Sequence, residues 1–450
     1  MSLSHRVKVF FLVVGDIIAL YLALLATLYV RYRSAWLIEL TNSHLLPFSI
    51  IFVLWLTVFY VAGLYDLRRL RNNLEFLKML NLTIAANAAL AVAFFYLIPV
   101  FGITPKTNLF VFLVIYEIIA VLWRRSFNRW TALSQPLAYI TLVGESPAMR
   151  ELYEFLGTNP QLGFKIRAWI SESELRLEDG GTEPLRAAVQ NGPTELLVVS
   201  RDLRRDPRLA KLLYELFANG LSIHDVPSFY EEVFRKIPIN EITEEWFFDK
   251  IAGHHRFYDG LKRAAEAIMA LLMLIVLSPV FLLIGLLVTT TSSDAVICAQ
   301  IRIGRRGRPY THYKFRTMKS CTEKDGPKWK QGGNRDPRLT WIGRFLAPSH
   351  LDELPQLVNI LKGELSFVGP RPERPAFVEM LRREIPYYDV RHIVNPGITG
   401  WAQINYHYGS SVQDAAEKLR YDLYYIKNRS PIIDVAIVIK TVKTFFSNPE

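Results

Sequence analysis

Residues 267–288 form a run of 22 uncharged residues, interrupted in the middle by Ser278-Pro279. No other stretch constrains the fold as much. About 20 apolar residues suffice to cross a bilayer, and a proline inside such a helix removes a backbone hydrogen bond and kinks it. Lys262 and Arg263 precede the run, and Arg302, Arg305, Arg306 and Arg308 follow it. Positive residues on both flanks favour the same, cytoplasmic, side for both ends. The expected structure is a re-entrant, Pro-kinked helix over about residues 262–290, with Ser278 satisfying a carbonyl freed at the kink. A plain crossing would carry the following residues to the opposite face.

Four further apolar stretches open the chain, at residues 9–30, 45–64, 82–101 and 109–123. Arg6 and Lys8 precede the first, Arg68, Arg69, Arg71 and Lys78 separate the second from the third, and Arg124, Arg125 and Arg129 follow the fourth. That placement predicts a four-helix transmembrane domain over 1–135 with both ends cytoplasmic. Asp16 and Glu117 fall inside apolar segments and are expected to make interhelical polar contacts, not a transport path.

Residues 136–250 change character. PLAYITLVGES, GFKIRAWIS and TELLVVSRD read as short buried strands, alternating with helical patterns such as AMRELYEFL. The alternation predicts a cytoplasmic α/β, Rossmann-like domain with a parallel sheet. Gly144 lies in the first strand-to-helix turn, but GxGxxG is absent, so dinucleotide binding is not the leading expectation.

The net charge of +11 sits in the two parts that carry apolar stretches, and the middle is acidic. Basic residues beside apolar segments point to an anionic membrane surface or phosphorylated substrates. No nucleic-acid motif is present, and nucleic acid is not an expected partner. Two cysteines, Cys298 and Cys321, stand too far apart for CxxC and argue against a disulfide framework or a zinc site.

Residues 251–450 hold the chemistry. Asp352 and Glu353 adjoin in HLDELPQL, between Arg335, Arg338 and Arg344 upstream and Arg371 and Arg374 downstream. One carboxylate can attack phosphorus to form an acyl phosphate, and the other can hold Mg²⁺ with substrate phosphates. Arginines offer planar forks to phosphate oxygens. Lys314 and Arg316 alternate with apolar residues in KFRTM and can project from one face towards an anion. SPIIDVAIVIKTVKTFF is too short and too charged to span, and reads as an interfacial helix.

These motifs, in this order, resemble the bacterial sugar transferase family of polyprenyl-phosphate glycosyl-1-phosphate transferases, also called monotopic phosphoglycosyl transferases. The resemblance runs from about Tyr258 to the end. It rests on KR before the broken apolar helix, QIRIGRRG, KFRTM, DPRLTWIGRFL, LDELPQLVNILKGELSFVGPRPERP, PGITGWAQI and KLRYDLYYIKN. It implies a mainly α catalytic domain over 251–450 at the cytoplasmic face of the bacterial inner membrane. Asp352 would be the nucleophile towards a UDP-sugar, with undecaprenyl phosphate as acceptor and UMP released, and Glu353 would bind Mg²⁺. Lys314, Arg316, Arg344, Arg371, Pro372, Arg374 and Arg391 are the substrate-binding candidates, Lys314 and Arg371 foremost, and a homodimer is implied. The chain departs from the family pattern at Ala347-Pro348-Ser349-His350, where R-K-T-S is usual, and at Glu266, where the KRxxD pattern has aspartate. The rival reading is a catalytically weak scaffold in a polysaccharide assembly complex.

Overall fold

The computed structural model describes the chain except for residues 1–2, 66–73, 98–105, 134–137, 176–181, 191, 193, 205, 252–254, 292–294, 320–337, 407–408, 410 and 448–450. The chain divides into two compact units, Met1–Val233 and Phe234–Glu450.

The first unit begins with four long helices, α1 (Leu3–Tyr32), α2 (Leu45–Ala62), α3 (Leu74–Leu97) and α4 (Lys106–Leu133). Their shared core is aromatic, with Trp55, Phe59, Phe112 and Tyr116 buried and Phe52 stacked on Phe112. Phe10, Leu22, Val53, Leu82 and Phe110 face outwards. Helices apolar on all sides suit a lipid surround. Against the four spans expected, two of the described helices are long and apolar enough to cross a membrane, Val7–Glu39 and Phe76–Tyr96. The helix Leu45–Tyr60 is apolar but shorter, and α4 carries Arg124, Arg125 and Arg129 in its second half. Asp16 makes the interhelical contact expected of it. Its carboxylate accepts from Arg124, whose other amino group donates to the Leu64 carbonyl at 2.6 Å.

The same unit contains a parallel sheet of β1 (Ala138–Val143), β2 (Phe164–Ile170), β3 (Leu196–Val199) and β4 (Ser222–Asp225), in the order β2-β1-β3-β4. The next helix, α5 (Pro147–Thr158), is capped by Ser146, whose hydroxyl accepts from the Met149 N–H. Gly144 has φ +107°, and a Cβ there would lie 2.4 Å from Ser200 Oγ. That close approach explains the glycine without a ligand.

In the second unit the apolar run is broken as expected. Helix α6 (Arg256–Val276) and helix α7 (Ser278–Thr289) meet at 62° across Leu277. Pro279 cannot continue the hydrogen-bond ladder, and the Ser278 hydroxyl donates to the Ile275 carbonyl at 2.8 Å. Val276 and Leu282, near the bend, are 72% and 75% exposed. Exposed apolar surface of this kind marks an interaction face. The inner sides of the two arms hold the rest of the unit together. Ala270 of α6 packs with Tyr310, Leu357 and Ile360. Ile284 and Val288 of α7 pack with Phe315, Ile342 and Leu346, against which Leu351 and Leu354 rest.

Around this bent helix lie the antiparallel hairpin β5 (Ile297–Ile303) and β6 (Pro309–Phe315), helix α8 (Gln356–Lys362) and strand β7 (Ser366–Val368). Helix α9 (Pro375–Glu384) follows, with strand β8 (Gly397–Thr399) pairing in parallel with β7. Helices α10 (Val412–Asn428) and α11 (Pro431–Ser447) end the chain. Against the expectation from the cysteine spacing, Cys298 on β5 is disulfide-bonded. Cys321 lies outside the described residues.

Candidate active site

Strand alternation places Tyr310, His312 and Lys314 on one face of β6. The first two are buried and joined at 3.2 Å between the Tyr310 hydroxyl and His312 Nδ1. Lys314, nearest the strand end, reaches the carboxylate pair. Asp352 and Glu353 lie on a 3-10 turn, Leu351–Glu353, entered through His350 at φ 52°. Leu351 and Leu354, on either side of the pair, pack against the apolar cluster that includes Ile284 and Val288 of α7.

Lys314 Nζ lies 2.5 Å from Glu353 Oε1 and 3.9 Å from Asp352 Oδ2. Arg371 and His350 approach the same Glu353 oxygen to 3.9 Å and 4.0 Å. Both carboxylates are about nine-tenths buried, their side chains 11% exposed. Burial pushes the Glu353 carboxyl up, but Lys314 and Arg371 outweigh it and hold it down at about 2. Burial, then Lys314, lowers His312 to about 3, so its ring is neutral near pH 7.

A depressed carboxyl pKa has a definite sign in stability. The contribution of Glu353 is full above its unfolded value of about 4.3 and is lost as pH falls through about 2. Thermal unfolding of wild type and Glu353→Gln checks this: the gap between them is widest near about pH 7 and closes as the medium is acidified. A gap that stays constant into strong acid contradicts the assignment.

Arg371 is delivered by the Gly-Pro-Arg-Pro loop that leaves β7. The loop is held close to the start of β8, with the Gly369 N–H on the Thr399 carbonyl at 2.8 Å and the Gly397 N–H on the Pro370 carbonyl at 2.9 Å. A Cβ on Gly369 would lie 2.4 Å from the Asn395 carbonyl oxygen, so that contact requires glycine. Arg391 supports the loop from beneath. It is 7% exposed and donates to the Arg371 carbonyl at 2.9 Å, to Asp422 at 3.0 Å and to the Tyr388 hydroxyl at 2.6 Å. This phosphate-binding candidate thus holds three protein partners in the structure.

A profile of the bacterial sugar transferases matches residues 257–448, which include every residue of this cluster. A UDP-glucose:undecaprenyl-phosphate glucose-1-phosphate transferase of Klebsiella pneumoniae is 30% identical over 405 residues, 86% of this chain and 86% of that protein. The chain belongs to the bacterial sugar transferase family. An enzyme of the same name from Escherichia coli (strain K12) is 33% identical over 328 residues, 69% of this chain and 68% of its own length. A UDP-N-acetylgalactosamine-undecaprenyl-phosphate N-acetylgalactosaminephosphotransferase of Aeromonas hydrophila is 40% identical over 254 residues, 55% of this chain and 59% of its own.

The remaining candidates of this sugar transferase sit on neighbouring elements. Arg316 is 5% exposed, with its backbone N–H on the Val296 carbonyl at 2.9 Å. Arg344 is exposed on the helical turn Gly343–Leu346 and forms no ion pair with another described residue. The Pro372 carbonyl accepts from Arg302 at 3.3 Å, and Arg374 occupies the cap position before α9. Arg335 lies outside the described residues.

Among the described residues, no group of three or more His, Cys, Asp or Glu side chains is arranged to hold a metal. Two hard carboxylates, one strongly anionic, nevertheless fit Mg²⁺, which completes its shell with water and substrate phosphates.

The Lys-Arg pair before the apolar run serves the sugar transferase structurally. Lys262 bridges to Asp434 at 2.6 Å and donates to the Val368 carbonyl at 2.8 Å. Arg263 donates to the Ile360 and Leu361 carbonyls, both at 2.6 Å. The longer arm of Glu266 accepts from the Ser366 hydroxyl at 2.5 Å and the Phe367 N–H at 3.1 Å. Together they fasten the bent helix to β7, α8 and α11. Neither this role nor that of His312 was drawn from the sequence, although the period-two pattern of Tyr310, His312 and Lys314 is a signal for the latter.

Proposed function

We propose that the enzyme transfers a sugar-1-phosphate from a UDP-sugar to undecaprenyl phosphate through an aspartyl-phosphosugar, initiating a surface polysaccharide. The observation that carries this reading is the Lys314–Glu353–Asp352 cluster, whose flanking Leu351 and Leu354 pack with Ile284 and Val288 of the bent apolar helix. An Asp352 carboxylate oxygen attacks the β-phosphorus, the bond to the bridging oxygen breaks, and UMP leaves with that oxygen and its electron pair. The terminal oxygen of undecaprenyl phosphate then attacks the same phosphorus. The acyl-phosphate bond breaks and Asp352 is regenerated. Lys314 and Arg371 supply fixed positive charge where phosphate charge develops. Mg²⁺ held by Glu353 would neutralise phosphate oxygens.

In this reading α6 and α7 form a re-entrant hairpin in one leaflet, with the carboxylates at the cytoplasmic surface. There a soluble nucleotide and a lipid phosphate meet. The exposed apolar bend and the exposed Trp341 and Phe345 support that seating. The proposed organisation is a four-span domain at 1–135, an α/β domain at 136–250 and the catalytic domain at 251–450, in the bacterial inner membrane as a homodimer.

The test is UMP release from a panel of UDP-sugars by nanodisc-held enzyme with Mg²⁺ and undecaprenyl phosphate. Release from one member of the panel is expected, and folded protein silent across it argues against the reading. In the same assay Glu353→Gln is expected to need more Mg²⁺ for half-maximal rate. A Mg²⁺ titration identical to wild type removes the metal role from Glu353.

A further inference from the structure

A cavity of about 630 Å³ opens in the second unit, a size typical of small-molecule sites. Its walls come from the first half of α6, the turn between β5 and β6, the end of α8 and the last turn of α10. Asp352, Glu353, Lys314 and Arg371 do not line it.

The acids on its walls are already supplied with donors. Asp259 receives Arg429 at 2.9 Å and 3.0 Å, Glu266 receives Ser366 and Phe367, and Glu364 receives Asn359 at 2.8 Å. Its cations are not all used. Arg306 and Arg308, on the turn between β5 and β6, are exposed and form no ion pair with a described residue. Arg305 beside them spends its Nε on the Ile393 carbonyl. Arg306 also has φ +58°, a left-handed conformation in which glycine or asparagine is relaxed. A tight turn thus offers unengaged guanidinium groups to a cavity whose acids are occupied.

We infer that this cavity is a second anion site, for a phosphate ester or diphosphate, separate from the carboxylate pair. Guanidinium forks match phosphate oxygens in geometry and charge. The cavity lies beside the half of α6 that leads into the apolar run, so two sources share this chemistry: a phospholipid headgroup and a soluble diphosphate.

The test uses full-length enzyme and the variant Arg306→Gly/Arg308→Gln, which removes both charges and relieves the left-handed backbone. One arm measures inorganic pyrophosphate binding by calorimetry. The other measures phosphatidylglycerol retained on the protein by native mass spectrometry after release from nanodiscs. Wild type is expected to bind at least one probe, with binding to the variant weaker by about tenfold for each guanidinium–phosphate hydrogen bond removed. Loss confined to pyrophosphate assigns a soluble ligand, and loss confined to the lipid assigns a headgroup. Asp352→Asn should bind as wild type does, which separates this site from the catalytic reading. No binding to wild type, or equal binding to wild type and variant, overturns the inference.

Discussion

Asp352→Asn should abolish UMP release while leaving the fold intact. The substitution keeps the shape of a side chain that is 11% exposed and removes the anionic oxygen. A neutral amide is a poor nucleophile towards phosphorus, and the neighbouring carboxylate is not free to replace it. Glu353 is held by Lys314 at 2.5 Å and kept ionised by its cations, so its charge is committed to binding. The expected loss is at least about a thousandfold, on the scale of removing a group that acts in the transition state. Melting in the same nanodiscs, measured beside the assay, separates loss of chemistry from loss of fold, because asparagine keeps the size of the side chain it replaces. A variant that turns over at the wild-type rate would favour a scaffold or another nucleophile.

Arg391→Met carries the second large effect. Arg391 and Asp422 are 7% and 1% exposed. Burial pushes the Asp422 carboxyl up, against the pull of Arg391. Removing one partner of a buried ion pair strands the other and costs about 3–5 kcal/mol. It also removes the donor to the Arg371 carbonyl, freeing the loop that brings Arg371 to Glu353. The variant should therefore melt lower and release UMP more slowly. In Arg391→Met/Asp422→Leu most of the stability should return, since an apolar pair can replace a buried ionic one. The rate should stay low because the loop anchor is still missing. Recovery of both would show that Arg391 contributes to stability alone, and an unaltered single variant would contradict the burial argument.

The structure was legible in the sequence where local chemistry decides it. Ser278-Pro279 announced the break because proline cannot donate, and the hydroxyl satisfies a freed carbonyl within its own turn. Lys314 was legible as a cation projecting from β6, but its contact with Glu353 was not, because it joins a strand to a 3-10 turn 39 residues further on. The burial of Arg391 was not legible, because an arginine in a basic motif looks the same whether it faces ligand or core. Its burial depends on Asp422, 31 residues further on. Strand alternation announced a parallel sheet, but its order depends on packing that no local pattern records. Apolar runs announced four helices, and four long helices form, two of which among the described residues have the length and hydropathy of a span.

The most direct measurement is the intact mass of enzyme mixed with its UDP-sugar and Mg²⁺ without the lipid acceptor, followed by peptide mapping. The expected result is a gain equal to one sugar phosphate on the peptide containing Asp352, matched by one equivalent of UMP and discharged when undecaprenyl phosphate is added. UMP formed only once the acceptor is present, with no adduct at any time, would contradict the covalent route and point to direct transfer between the two substrates.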